Sequence, residues 1–342
     1  MSVKNPKKIL ILRFGAIGDI VLTSPVIRAI KVQFPDAEVH YCTKKGYRSL
    51  VEHNPYLDKV HLLEDSLSQL VKVLRKEKYD FIVDLHRNLR TRLIKWQLLR
   101  PSATFTKLSF QKSLMAKLKI NHLPNVHVVD RYMEAVKPLG VKPDAMGLDY
   151  FIPDEDVVAK DWLPETHRGR YVVYALGGQQ GTKRLPFHRM IELCDRINKP
   201  IVLVGGPEDK EVGDQLVEFF TKSEDNAQFE QQLTADLGKR TTVFNACGKL
   251  NLNQSASIIK GAAYVFAHDT GMMHVAAAFR KQIFCIWGNT IPLFGMYPYR
   301  TKFTILENNK INCRPCSKIG YDKCPKGHFK CMEEIVFDFW LP

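Results

Sequence analysis

No run of apolar residues in this chain approaches the ~20 that a membrane-spanning helix needs. The lysine-rich start has no long apolar stretch, because Arg13 interrupts it, and no small-residue cleavage site. The protein is therefore expected to stay in the cytoplasm. Cysteine is thinly spread: eight residues in 342 do not make the dense disulfide framework of a small secreted domain. The G-x-G-x-x-G dinucleotide fingerprint is missing, which disfavours a nicotinamide cofactor, and so is the G-x-x-x-x-G-K-[ST] order of a Walker A loop. No D-x-D pair stands in a convincing position to clasp a divalent ion, so neither cofactor nor metal is expected. Acidic residues vanish between His86 and Val129, a stretch that holds Arg87, Arg90, Arg92, Lys95, Arg100, Lys107, Lys112, Lys117 and Lys119.

What is present suits two domains. The chain is too long for one typical domain, and its 45% hydrophobic and 25% charged content is that of a globular protein with an ample core. The formal charge of +14 implies an anionic partner: nucleic acid, a membrane surface or a phosphorylated substrate. No nucleic-acid module is visible and aromatic interleaving of the basic run is thin. Phe110, Leu114, Met115, Leu118 and Ile120 alternate with its lysines instead, a pattern suited to an anionic membrane and an acidic lipid-linked acceptor.

The first half organises around its opening. Ile9 to Leu12 reads as a buried parallel strand, Arg13 to Gly18 as a glycine turn, and the apolar residues from Ile20 to Phe34 recur at helical spacing. Asp19 is either the cap of that helix or a proton acceptor; Ser24-Pro25 allows a second start, which would leave Asp19 on the loop. Strands over 37–42, 60–63 and 81–85 alternate with helices over 47–53 and 67–78, which predicts a parallel sheet wrapped on both faces. Ligands bind such sheets at the carboxyl ends of strands. That rule places His86, Arg87 and Asn88 on the same rim as Asp19. A helix over His127–Gly140 ends at a glycine cap, and the proline-rich stretch from Val141 to Arg170 reads as a linker.

A second α/β unit follows. Tyr171 to Leu176 is a strand, and Gly177 to Lys183 is a glycine-rich loop whose backbone donors and single lysine suit a diphosphate. After the strand over 201–204 comes Glu208, a carboxylate at the rim that can accept from ribose hydroxyls or open a helix. The polar stretch Ser223–Arg240 reads as an extension of helix and loops. His268-Asp269-Thr270-Gly271-Met272-Met273-His274 carries the densest signal: amide donors, a hydroxyl and a helix dipole converge after a strand, and small residues permit close approach. The tail holds Cys313, Cys316, Cys324, Cys331 and His328; reduced thiols packing an end segment are the expectation, with a structural metal the alternative.

Taken in order, the G-x-x-G-D turn at 15–19, Lys183-Arg184-Leu185-Pro186, the D-T-G-x-x-H run at 269–274 and Gly288-x-Thr290-x-Pro292 resemble glycosyltransferase family 9, the heptosyltransferase-like enzymes. The resemblance departs at Leu185, where the family has tryptophan, and at Gly178 and Gln179, which replace hydroxyl residues. It implies two Rossmann-like doubly wound α/β domains facing across a cleft, the glycosyltransferase B arrangement, over residues 1–160 and 168–312, with a cysteine-containing segment over 313–342. It implies an inverting transferase that moves a sugar, ADP-heptose foremost, onto a lipopolysaccharide core or related lipid-linked acceptor. Asp19 matches the catalytic base. Gly178, Thr182, Lys183, Glu208, Asp269, Thr270, Gly271 and His274 are the expected donor-binding residues. Gly18, Arg87, Asn88 and Arg90 are the expected acceptor-binding residues. Peripheral contact with the cytoplasmic face of the inner membrane goes with the acceptor, and nucleic acid is not an expected partner. The alternatives are another nucleotide-sugar enzyme (a different donor, an epimerase or a hydrolase) and a non-catalytic polyanion- or membrane-binding module.

Overall fold

A computed structural model of the protein describes residues 5–230 and 241–341. Its first strand, β1 (Lys8–Leu12), shields Ile9 to Leu12 completely from solvent. Such burial needs cover on both faces, which is why the strand reads as an unbroken apolar run. β1 lies between β2 (Glu38–Lys44) and β4 (Phe81–Asp84), with β3 (Lys59–Leu63) beyond β2 and β5 (Ser102–Thr104) beyond β4. All neighbours are parallel, and Ile9 stands opposite both Val39 and Phe81.

The opening helix is two helices. α1 (Ile17–Val21) contains Asp19, which is neither its cap nor on a loop, and α2 (Ser24–Gln33) follows with Thr23 as its N-cap. Pro25 sits in the first turn of α2, where its missing N–H is not needed. Ser24 therefore does not cap: its Oγ donates to the Val21 carbonyl at 2.8 Å and accepts from the Asp149 amide at 2.9 Å. The segment expected as a helix from Tyr47 is a 3-10 turn over Lys45–Leu50. α3 (Leu67–Lys76) begins at the Ser66 cap and turns Leu70, Val71 and Leu74 to the core. Then come α4 (Leu89–Leu98), α5 (Ser109–Leu118) and α6 (Val128–Glu134). The last of these is shorter than expected, because the chain tightens to a 3-10 turn over Lys137–Leu139 before Gly140 ends it at φ +78.

The linker is clamped to the front lobe by Arg28 of α2, whose guanidinium donates to Asp144 at 2.8 and 2.9 Å and to the Gly147 carbonyl at 2.9 Å, and pairs with Asp149. The rear lobe repeats the architecture: β6 (Val172–Ala175), α7 (Phe187–Ile197), β7 (Ile201–Val204), α8 (Lys210–Glu230), β8 (Val243–Asn245), α9 (Leu252–Gly261), β9 (Tyr264–His268), α10 (Gly271–Ala278), β10 (Gln282–Trp287) and β11 (Phe303–Glu307). Its parallel sheet has the order β11-β10-β9-β6-β7-β8. Of the polar stretch 223–240, α8 takes the part up to Glu230; residues 231–240 lie outside the described residues.

The C-terminal segment, with α11 (Lys330–Glu333), packs on the rear lobe and meets the front lobe at Lys119, which donates to the Cys313 and Pro315 carbonyls, each at 2.7 Å. Cys331, Met332, Ile335 and Phe337 are buried with Val172 and Tyr174 in one apolar cluster, and the Phe339 ring lies 4.9 Å from that of Phe266. All four tail cysteines are free thiols. Cys316 donates to the Cys313 carbonyl at 3.1 Å, and Cys313 Sγ lies 3.9 Å from His328 Nε2. A second cluster joins Ile9 and Val26 of the front lobe through Met273 and Val275 of α10 to Val173 of the rear sheet. Among the described residues no helix is long and apolar enough to cross a membrane.

Candidate active site

The carboxyl ends of both sheets open on one cleft of about 940 Å³. From the front come the turn after β1 with Asp19 and the turn after β4 with His86; from the rear come the turns after β6, β7, β9 and β10. This is where parallel α/β sheets hold ligands, because helix starts and loop amides point outward at that end.

Asp19 lines the front wall. Its carboxylate pairs with the buried Arg13 guanidinium at 2.5 Å and accepts from the Ala16 amide at 3.4 Å. Arg13 is itself fixed by the carbonyl of Gly15 at 3.0 Å and that of Leu85. A carboxylate so held is oriented toward the cleft, as a proton acceptor must be. Gly18 also lines the cleft, but its lack of a side chain serves the neighbouring lobe: a Cβ there would stand 2.6 Å from His274 Cδ2 and 3.2 Å from Gly271 Cα.

On the rear wall Lys183 donates to the Asp269 carboxylate at 2.6 Å and to its carbonyl at 3.0 Å, and Thr290 donates to the same carboxylate at 2.8 Å. Gly178 faces the cleft while its carbonyl accepts from Arg184 at 2.6 Å, and Arg184 pairs with the buried Asp209 at 3.1 Å. Glu208 stands exposed at the rim. Thr270 caps α10, Gly271 begins it, and His274 lies buried one turn in. Burial pushes the His274 imidazole down to about 4, against the pull of Asp269 and Asp19, so near neutral pH it is uncharged.

Five buried polar atoms on the cleft wall have no partner: His86 Nδ1, Arg131 Nε, Thr270 Oγ1, His274 Nδ1 and Trp287 Nε1. Buried polar groups are nearly always satisfied. Their convergence from both lobes marks a place where a polar ligand completes the bonding.

Four expected site residues are placed elsewhere. Thr182 is buried behind the loop, its hydroxyl donating to the Tyr321 carbonyl at 2.9 Å and accepting from the Tyr321 amide at 2.8 Å. Asn88 is the N-cap of α4, exchanging bonds of 3.0 and 3.1 Å with Thr91. Arg87 turns toward the Phe105 carbonyl at 3.4 Å, and the Arg90 guanidinium lies 5.5 Å over the Phe14 ring, outside the cleft. The reason is local: Asn88 already caps α4, which begins at Leu89, so of the short turn after β4 only His86 reaches the cleft. The front-wall cations besides Arg13 are instead Lys107, Lys112 and Arg131. The two lysines lie in the acid-free run, where the sequence gives no sign of which side chains turn inward. Arg131 and Trp287 carried no signal beyond their place on a helix and a strand.

Two facing parallel-sheet lobes with an oriented carboxylate on one wall and a lysine, a helix start and loop amides on the other define a glycosyltransferase of the B arrangement. The model of glycosyltransferase family 9 (heptosyltransferase) matches residues 67–324. The chain belongs to that family and is a glycosyltransferase. It is 23% identical over 332 residues to lipopolysaccharide heptosyltransferase 1 of Campylobacter coli, covering 89% of each chain. To lipooligosaccharide heptosyltransferase 2 of Haemophilus influenzae it is 23% identical over 347 residues, covering 91% of this chain and 92% of the relative. Among solved structures it resembles the family 9 glycosyltransferase of Veillonella parvula (TM-score 0.71, 21% identity, 90% and 88% of the chains). It also resembles E. coli ADP-heptose lps heptosyltransferase II (TM-score 0.66, 18% identity, 96% and 98% of the chains).

Proposed function

We propose that the protein transfers heptose from ADP-heptose, with inversion, to a lipopolysaccharide core or a closely related lipid-linked saccharide. The family, relatives named as lipopolysaccharide or lipooligosaccharide heptosyltransferases over about nine-tenths of their length, and a structural neighbour titled ADP-heptose lps heptosyltransferase II support this choice of donor and acceptor. The rear lobe holds the donor: Lys183, Gly178, Asp269 and the Thr270-Gly271 helix start take the diphosphate and Glu208 the ribose. Asp19 takes the proton of the acceptor hydroxyl as that oxygen attacks the anomeric carbon; the bond from that carbon to the diphosphate oxygen breaks, and ADP leaves with the electron pair. Lys183 and the α10 amides meet the charge that develops on the departing oxygen. Neutral His274 contributes a hydrogen bond and no charge.

The observation that carries this reading is the nearness of the base to the donor wall: Gly18, beside Asp19, lies against Gly271 and His274. The test is Asp19→Asn. Transfer should fall by roughly 10²–10⁴-fold while calorimetric affinity for ADP-heptose holds; an Asp19→Asn variant turning over at the wild-type rate rules Asp19 out as the base.

The acceptor's lipid places the enzyme at the cytoplasmic face of the inner membrane. The contact surface extends to α4, beside the run beginning at Phe110, whose Phe110, Leu118 and Ile120 are exposed while its Lys112 turns into the cleft. Leu89, Leu93 and Trp96 repeat at i, i+4 and i+7 on the exposed side of α4, followed by exposed Leu99 and interleaved with Arg92 and Arg100. That stripe was legible in the sequence as helical spacing within the basic run.

A further inference from the structure

At the end of the front sheet away from the cleft, four polar side chains converge. His40 comes from β2, His61 from β3, Glu77 from the C-cap of α3 and Tyr79 from the turn into β4. None of them lines the cleft. Both imidazoles and the phenol are buried, and the Glu77 side chain is largely shielded. His40 Nδ1 lies 3.2 Å from His61 Nε2, and the Tyr79 hydroxyl lies 3.0 Å from each of those nitrogens. The Glu77 carboxylate stands 4.0 Å from His40 Nδ1 and 3.8 Å from His61 Nε2. Among the described residues no other three histidine, cysteine or carboxylate side chains bring their ligand atoms within 4.8 Å of one another.

These separations are close to those a metal ion sets. In a tetrahedral zinc site the ligand atoms lie about 2.0–2.1 Å from the metal, and therefore about 3.3–3.4 Å from one another. The two imidazole nitrogens and the phenol oxygen are already that near, and the carboxylate has a few tenths of an ångström to advance. The His40 ring is also turned as a ligand is: its Nε2 lies 3.2 Å from the Glu38 carboxylate. A carboxylate there keeps the proton on Nε2 and leaves the lone pair on Nδ1, and metal-bound histidines nearly always have such a partner. Burial holds the His61 imidazole down at about 4 and pushes that of His40 below its ordinary value, so near neutral pH no proton occupies the ligand positions. The hydrogen bond from Lys59 holds the Glu77 carboxyl at about 2, so it is ionised. Lys59 at 2.6 Å and Lys8 at 3.1 Å are the cations that meet Glu77. Each has another place to go: the Lys59 side chain is half exposed to water, and Lys8 also pairs with Glu38 at 2.8 Å.

We propose that His40, His61 and Glu77 bind one zinc-type divalent cation, with the Tyr79 hydroxyl at the fourth corner, as a staple joining β2, β3 and the turn into β4. Two imidazoles and a carboxylate suit zinc, whereas magnesium seeks an octahedron of oxygens and keeps its waters. The ion takes the place of Lys59 as counter-charge to Glu77. It acts on the stability of the front lobe, and the proposal is independent of which donor and acceptor the cleft takes.

The test is zinc chloride titrated by calorimetry into the full chain after a chelator has stripped it of metal. The tail thiols can also take zinc, so the titration is run in a Cys313→Ser/Cys316→Ser background. That protein should bind one equivalent, and zinc should raise its melting temperature. Adding His61→Gln should abolish the rise and weaken binding by more than the roughly 10- to 100-fold that the loss of an outer partner costs. Glu38→Ala, which removes only the outer carboxylate, should weaken it by about 10- to 100-fold. Should His61→Gln not fold, Glu77→Gln carries the same comparison at a half-buried position. With the tail thiols intact, wild type should bind one zinc equivalent more than His61→Gln. Magnesium chloride should give no binding. Absence of bound zinc in the serine background, zinc binding indifferent to both His61→Gln and Glu77→Gln, or magnesium held as tightly as zinc each overturns the proposal.

Discussion

Gly18 and Gly271 meet backbone to backbone across the floor of the cleft. A Cβ on Gly271 would stand 2.8 Å from Ile17 Cβ and 3.1 Å from the Gly18 amide nitrogen. The first helical turn of the front lobe and the first turn of α10 can therefore touch, and this contact brings Asp19 next to the donor wall. Gly271→Ala forces the two apart by a few tenths of an ångström or more. It should destabilise the fold by about 1–3 kcal/mol as overpacking does and lower kcat. Thermal melts and steady-state kinetics check this; a Gly271→Ala variant that is fully active and equally stable contradicts the contact.

Lys183 is engaged by Asp269 at 2.6 Å. A diphosphate must compete for the ammonium or share it, and Thr290 stands ready to keep its own bond to the carboxylate. Lys183→Ala should weaken ADP binding about 10- to 100-fold, from the loss of a charge-assisted hydrogen bond and from the unshielded Asp269 left facing the phosphates. Calorimetry with ADP alone reads it, and an unchanged dissociation constant removes Lys183 from the donor site.

Burial holds the imidazoles of His61, His86, His268 and His274 down at about 4 and that of His127 at about 3. In the unfolded chain these groups titrate near ~6.5. Between those values the unfolded chain binds protons that the folded one refuses, so stability rises with pH across the window. It is fully present above pH ~6.5 and is lost as pH falls toward 4, by about 1.4 kcal/mol per pH unit for each such group. Urea midpoints taken at pH 7.5, 6 and 5 should drop steeply, and a flat series would show that these histidines titrate normally.

How much of this was legible in the sequence differs from element to element. The parallel strands were readable because both faces are covered, as the unbroken run at Ile9–Leu12 shows, and the rim rule then put Asp19, Lys183 and Asp269 at strand ends. The division of the opening helix at Leu22–Thr23 was not readable, since Ser24-Pro25 permits two starts and only the Asp149 amide on the Ser24 hydroxyl settles it. Rim placement also failed for Arg87 and Asn88, because the rule gives strand ends and not the residue at which the next helix begins. The inward turn of Lys112 was hidden for a further reason: it depends on Phe294, 182 residues away, and no local periodicity carries that information.

Leu89, Trp96 and Leu99 are 71%, 72% and 81% exposed, large apolar side chains that a protein surface seldom groups without a partner. With Arg92 and Arg100 beside them they should bind vesicles containing anionic phospholipid more tightly than neutral ones, and salt should weaken the binding. Trp96→Glu should remove most of the cosedimenting fraction and leave transfer to a soluble saccharide unchanged, because Trp96 does not line the cleft. Equal cosedimentation of variant and wild type would rule this face out.

Thr182 offers the sharpest contrast between touching the donor and holding the loop that touches it. Its hydroxyl both donates to and accepts from the Tyr321 backbone, and Gly320 packs on Gln180 so closely that a Cβ there would stand 2.6 Å from Gln180 Cβ. The C-terminal segment is thus the backing of the loop that presents Gly178 and Lys183. Thr182→Val keeps the shape and loses both hydroxyl bonds; the Tyr321 carbonyl keeps the Thr182 amide at 2.9 Å, while the Tyr321 amide loses its partner, at a cost of roughly 0.5–1.5 kcal/mol. Stability and ADP affinity should fall together, and Thr182→Ser, which keeps the hydroxyl, should restore both. A valine variant that loses ADP affinity with an unchanged melting temperature would mean that the hydroxyl meets the phosphates directly.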